Sequence, residues 1–269
     1  MNTGILIAGG VCPGVHNLVH DLTLYEKSQG NHVFGFRHGF GGLNVNDRSE
    51  MPTLSRDIMK LDMAVHTLKD VDRLYCLCGN RSMENAALLA LDDRVKTNII
   101  GIAKTMFDDF PGLEAIGSRT AALEFENNME DAYRKAASEH SIIFFEMPSE
   151  KMMTRKIYNR VTDIVNGLTV NKISMHQIKN NYETYGFALV LVTGTDRYWD
   201  IVEYLQQNTD TSVSVMSPAF EAYDVQPCLY DKILSERVAR EAFEGAQIYS
   251  NFLIGGGGIM KFEEYLDIV

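Results

Sequence analysis

This 269-residue sequence is short of positive charge: 25 Lys and Arg stand against 36 Asp and Glu, a net of −11. A surface built to neutralise phosphate backbones needs the opposite balance, so neither nucleic acid nor an anionic membrane is an expected partner. Long apolar runs are missing too, and none approaches the ~18 residues of a membrane-spanning helix. The opening MNTGILIAGG has neither the basic region nor the length of a secretory leader, which makes the expected location cytoplasmic. Four cysteines, Cys12, Cys76, Cys78 and Cys228, form no CxxC pair. Reduced, buried thiols are therefore expected rather than a metal centre. Internal repeats, heptads and low-complexity tracts are absent as well.

What remains is an ordinary globular composition, 45% hydrophobic, 10% aromatic and 23% charged. The length exceeds the roughly 100–200 residues usual for one domain, so a large α/β domain or two lobes are expected. Short apolar runs at 4–8, 32–36, 74–78 and 98–102 alternate with amphipathic stretches at 17–28, 58–68 and 83–91. Strands that are hydrophobic throughout, separated by helices, indicate a mainly parallel sheet covered on both faces. After a loop at 107–117 holding Asp-Asp-Phe-Pro-Gly, the alternation restarts. Helices are expected over 118–138, 155–167, 198–208 and 229–246, and strands over 142–146, 187–192 and 212–216. The four glycines at 255–258 are expected as a loop, because helix there is costly and no strand-to-helix setting makes them a phosphate cradle. Residues 151–156 and 171–181 look like exposed linkers.

Several side chains invite a functional assignment that a plainer one outweighs. His16 and His20 stand four residues apart on an expected helix, but no HExxH-like pattern accompanies them, so no metal ligand set is assigned. Trp199, Tyr198 and Tyr204 at helical spacing are expected in a core or an interface. Glu124, Glu126, Glu130 and Asp131 are expected on a solvated helix face.

Chemistry enters with Gly4-Ile-Leu-Ile-Ala-Gly9-Gly10-Val-Cys12-Pro-Gly14, a strand running into a glycine-rich turn ahead of a helix. Such a turn brings backbone N–H groups toward a phosphate, though glycines equally serve tight turns and close packing. Five more segments follow in order: Val33-Phe-Gly-Phe-Arg-His-Gly-Phe-Gly-Gly-Leu43; Leu77-Cys-Gly79-Asn-Arg-Ser82 with Ala86; Gly101-Ile-Ala-Lys104-Thr105-Met-Phe-Asp-Asp109; Ile116-Gly117-Ser-Arg-Thr120-Ala121; and Tyr230-Asp231-Lys-Ile-Leu234. Together the six blocks resemble the phosphofructokinase family, strongly diverged. The resemblance implies two Rossmann-like three-layer α/β lobes: a nucleotide-side lobe from 1–117 plus 220–269 and a sugar-phosphate-side lobe from 118–219. Gly9, Gly10, Gly14, Gly79 and Ser82 are the nucleotide-binding candidates that it implies, for ATP bound without turnover.

The same resemblance implies loss of activity. Phosphoryl transfer needs positioning, charge neutralisation by metal and arginine, and a proton acceptor. Phe107 takes the family's catalytic-base position in the ungapped match, and Asn80 takes that of the Asp that handles Mg²⁺. A neutral amide is a feeble ligand for this hard cation. Arg81 replaces the adjoining Gly, with a side chain long enough to fill the phosphate space, and Val11 replaces the Asp of the first loop. On the sugar-phosphate side, Glu150 and Glu221 fall at arginine positions, Pro218 at a histidine and Thr193 where a glutamate is expected; Ser141 and Ser212 fall at two further arginines. Losing a base costs about 10²–10⁴ in rate and an arginine clamp about 10³–10⁵.

The leading expectation is thus a pseudoenzyme, a structural or regulatory subunit assembling with itself or with an active 6-phosphofructokinase paralogue in glycolysis. One alternative is a divergent ATP- or pyrophosphate-dependent sugar-phosphate kinase using Asp108 or Asp109 with Lys104, Thr105 and Mg²⁺. Another is a stand-alone nucleotide or metabolite sensor.

Overall fold

The computed structural model describes residues 1–53, 58–107, 109–147, 169–170, 175–193, 197–217 and 225–269. The chain divides into two compact units, Met1–Thr120 with Tyr223–Val269, and Ala121–Ala222.

The first unit opens with β1 (Asn2–Ala8), α1 (Val15–Ser28), β2 (His32–Phe36), α2 (Phe40–Val45), β3 (Arg48–Ser49), α3 (Leu61–Thr67), β4 (Arg73–Cys78), α4 (Asn80–Leu91) and β5 (Asn98–Ala103). Helix α5 (Ser118–Glu139) is followed in the second unit by β6 (Ile142–Met147), β7 (Thr169–Val170), α6 (Met175–Tyr185), β8 (Ala188–Thr193), α7 (Trp199–Asn208) and β9 (Val213–Met216). The chain ends with α8 (Leu229–Gly245), β10 (Phe252–Gly255), β11 (Gly258–Lys261) and α9 (Phe262–Leu266).

Seven strands of the first unit lie in the order β11-β10-β5-β4-β1-β2-β3. From β10 to β2 all are parallel, and only the edge strands β11 and β3 pair antiparallel. Alternation along the strands sends Leu6, Leu74, Cys76 and Cys78 to a layer with Met83, Ala87, Phe262 and Tyr265. Ile5, Ile7, Tyr75 and Leu77 go to the other, with Leu18, Leu22, Val238 and Ala242. Both faces are covered, so the continuous apolar strands are the ones a parallel sheet requires. Below the sheet, Glu26 and Arg73 form a buried ion pair at 2.5 Å, and Tyr75 donates to the same carboxylate oxygen at 2.7 Å. The segment 109–117 contributes to this core: Phe110, Leu113, Ala115 and Ile116 are buried.

Four parallel strands of the second unit lie in the order β7-β8-β6-β9. Ile142, Phe144, Val190 and Val192 pack on one face against Ile178, Tyr198, Val202 and Leu205. The buried Phe125, Met129, Ala132 and Ala136 mark the apolar stripe of α5.

Several differences from the sequence expectations have plain causes. The expected linker at 171–181 is polar enough to pass for one, yet from Met175 onward it is helix: Met175, Ile178 and Tyr182 recur at helical spacing and pack on the sheet in α6, while 171–174 lie outside the described residues. The glycine run at 255–258 is a hairpin rather than a free loop: Gly255 pairs with Gly258, and Gly256 exchanges backbone hydrogen bonds with Glu114. Glu126 is buried, whereas Glu130 and Asp131 are solvated and paired with Arg134. Tyr198 is a core residue, while Trp199 and Tyr204 are exposed. The expected helix at 155–167 and the linker at 151–156 lie outside the described residues.

Candidate functional site

In the first unit, the chain leaves β1 toward β2 on one side and returns to β4 on the other. At such a switch point the loops following two adjacent parallel strands diverge and leave a crevice at their carboxyl ends. The turns after β1 and β4 meet there. Gly9 has φ +87°, and a Cβ on it would stand 3.3 Å from both the Gly79 nitrogen and Ser82 Oγ, so a side chain would wedge the turns apart. Gly10 and Val11 are exposed, and Ser82 is half-buried. Gly79 precedes the first residue of α4 and donates to the Ala8 carbonyl at 3.3 Å.

Not every candidate glycine belongs to this crevice. Gly14 is buried at the start of α1 with φ +88°, and its missing Cβ would lie 3.0 Å from Ser235 Oγ and 3.1 Å from Ile116. Close packing against α8 accounts for it.

Asn80 is turned toward the C-terminal helix. The hydroxyl of the fully buried Tyr265 lies 2.6 Å from its side-chain oxygen and 2.7 Å from its main-chain oxygen. Burial pushes the Tyr265 hydroxyl pKa upward, as do the neighbouring Glu84, Cys78 and Asp109. Phe110 stacks on the Tyr265 ring with centroids 6.0 Å apart. Arg81 is exposed rather than packed into the crevice.

Lys104 follows β5 and is only 1% exposed. Its ammonium donates to the Gly10 carbonyl at 2.5 Å. Burial lowers its pKa, while the nearby Cys12 and Cys78 oppose that shift. The same burial pushes both thiols up to about 12, against the pull of Lys104. Cys12 donates to the Ile116 carbonyl at 2.7 Å. Thr105 is buried, and its hydroxyl accepts from the Phe107 N–H at 3.1 Å. Asp109 Oδ1 is buried without a hydrogen-bond partner among the described residues. Asp108 lies outside them.

Asp231 is the fully buried acid of the last family-like block. Its carboxylate accepts from the Gly117 N–H at 3.1 Å, the Thr120 N–H at 2.7 Å and the Thr120 hydroxyl at 2.5 Å. These bonds satisfy donors at the start of α5 that have no intrahelical partner. It is a structural cap.

The strand ends of the second unit carry Glu146, which accepts a hydrogen bond from Ser217, and the half-buried Thr193. Ser141 is buried beneath that sheet. Glu150, Pro218 and Glu221 lie outside the described residues.

Magnesium finds a poor donor set at the crevice of the first unit. Val11 offers no side-chain oxygen, Asn80 is neutral and held by Tyr265, and Lys104 adds positive charge. Among the described residues no three His, Cys, Asp or Glu side chains gather as a metal site. His16 and His20 are both exposed, and His20 faces Asp21 at 3.2 Å. Nor is any helix among them long and apolar enough to cross a membrane. Sequence reasoning missed Tyr265, which carries no motif and meets Asn80 across 185 residues.

No family model matches the chain. Among curated proteins it is 28% identical over 166 residues to the ATP-dependent 6-phosphofructokinase of Sulfurihydrogenibium sp., a match covering 52% of this chain and 50% of that enzyme. The chain spans about half the length of the curated relatives it matches. Its fold is similar to phosphofructokinase from Saccharomyces cerevisiae, with TM-score 0.77 and 15% identity over 99% of this chain and 45% of the other. It is also similar to the pyrophosphate-dependent phosphofructokinase of Nitrosospira multiformis, with TM-score 0.78 and 11% identity over 97% and 83% of the two chains. The resemblance to phosphofructokinases is borne out, in a mixed α/β fold with mainly parallel sheets.

Proposed function

We propose that this chain is a phosphofructokinase-like protein that has lost phosphoryl transfer and acts as a structural or regulatory subunit beside an active 6-phosphofructokinase. One observation carries the reading. The position that should hold Mg²⁺ is a neutral Asn80 whose side-chain oxygen is engaged by Tyr265, while Val11 and Phe107 supply neither a metal ligand nor a base. Loss at several of these positions together leaves little for positioning alone to recover. The apposed turns at Gly9, Gly10, Gly79 and Ser82 support a residual pocket for a phosphate-bearing ligand such as ATP, bound without turnover.

Native mass measurement tests the assembly, alone and with an active phosphofructokinase of the same cell. A complex of fixed ratio is expected, with the partner's activity altered by the added chain. A monomer that ignores the partner overturns the subunit role and leaves the sensor reading.

A second reading has one observation in its favour. The buried, unpartnered Asp109 Oδ1 is the kind of carboxylate oxygen that a proton acceptor needs, and a divergent sugar-phosphate kinase would use it or Asp108. Loss of measurable turnover in Asp109→Asn distinguishes that reading from the first.

A further inference from the structure

Lys104 is a buried cation, only 1% exposed, beneath the turn that lines the crevice. Its Nζ reaches under the glycine turn to the Gly10 carbonyl at 2.5 Å, with the buried Cys12 and Cys78 beside it. A trans peptide holds its C=O and the following N–H antiparallel. A Gly10 carbonyl drawn inward by Lys104 therefore turns the Val11 N–H outward. Gly10 and Val11 are both exposed, and among the described residues the Val11 N–H has no backbone partner. Gly9, at φ +87°, supplies the reversal that brings this peptide beside Gly79 and Ser82.

We infer that Lys104 is a positioning residue: its buried ammonium fixes the orientation of the Gly10 peptide and so presents the Val11 N–H as a donor to a phosphate-bearing anion, without itself touching the ligand. This rests on the reading of the apposed turns as an anion pocket. A charge-assisted bond to a carbonyl is among the stronger protein hydrogen bonds, and an isolated glycine peptide has little else to fix it. Replacing Lys104 with a neutral side chain of similar length leaves the carbonyl free to rotate, and the donor is then no longer aimed.

Nuclear magnetic resonance on the full chain tests this directly. In the wild type, a through-hydrogen-bond coupling from Lys104 Nζ to the Gly10 carbonyl carbon is expected, and its absence overturns the inference. The amide order parameters of Gly10 and Val11 should be near the rigid value of about 0.85 and fall below about 0.6 in Lys104→Met, with Ala8 and Cys78 unchanged. Unchanged order in the variant also overturns it. If Lys104→Met does not fold, the wild-type coupling still decides. Metal-free pyrophosphate is the probe for the donor: it should shift the Val11 amide and leave Lys104 Nζ unmoved, whereas a shift of Lys104 Nζ makes the lysine a direct contact and refutes its positioning role. Silence at every amide is a failure of the pocket reading, separate from the coupling and order measurements.

Discussion

The hydroxyl of Tyr265, from the C-terminal helix, shares its proton between the main-chain and side-chain oxygens of Asn80 at 2.7 and 2.6 Å. This ties the turn after β4 to a segment far away in sequence, through a neutral amide that is a feeble ligand for Mg²⁺. Tyr265→Phe should cost about 1–2 kcal/mol, because the half-buried Asn80 oxygens lose their donor without a change in ring packing. Urea unfolding measures it. Asn80→Asp, which restores only the carboxylate, should produce no Mg²⁺-dependent turnover in a coupled kinase assay.

Glu26 and Arg73 form the most deeply buried ion pair described, at 0% and 4% exposure. Thr3, Asn31 and Tyr75 also donate to the carboxylate, and Arg73 donates to the Ala246 carbonyl. Removal of either partner strands a buried charge, at a cost of about 3–5 kcal/mol. Glu26→Leu with Arg73→Met should lose less than the sum of the single changes, as read from a double-mutant cycle of unfolding free energies.

Asp231 accepts three hydrogen bonds from Gly117 and Thr120. Asp231→Ala should destabilise the first unit by about 2–4 kcal/mol, because charge-assisted bonds are lost and buried donors are left unpaired. Thermal unfolding followed by circular dichroism checks this. A change below about 0.5 kcal/mol rules out the capping role.

Alkaline pH should weaken the fold. Cys12 and Cys78 are raised from 9.0 to about 12 by burial, so their contribution is intact below pH 9 and is lost as pH rises toward 12 while the unfolded chain ionises first. Tyr75 and Cys76, also raised by burial, act in the same direction. Tyr265 acts with them, while Lys104, lowered by burial, acts in the opposite direction as a single group against several. The midpoint of thermal unfolding should therefore fall between pH 9 and pH 11. In native protein at pH 8, a thiol reagent should modify the half-buried Cys228 well before the other three, with all four reacting in urea.

Much of the first unit was legible because its strands are apolar throughout and its helices amphipathic. The β2 boundaries, 32–36, agree between sequence and structure. Helix α4 begins three residues before its first apolar residue, Met83, because Asn80, Arg81 and Ser82 form a polar first turn that hydrophobic periodicity does not register. The hairpin of β10 and β11 hid behind its glycines, and α6 behind its polar face. At the site, the motifs located the two glycine turns that meet at the ends of β1 and β4. The inward path of Lys104 and the grip of Tyr265 on Asn80 were not legible, since both depend on side-chain direction across elements distant in sequence.

Steady-state turnover of the purified chain with fructose 6-phosphate and Mg²⁺, supplied with ATP and then with pyrophosphate, bears most directly on the proposed loss of phosphoryl transfer. The expected result is a rate indistinguishable from that of buffer with either phosphoryl donor. Turnover that saturates in both substrates and disappears in Asp108→Asn or Asp109→Asn would contradict it.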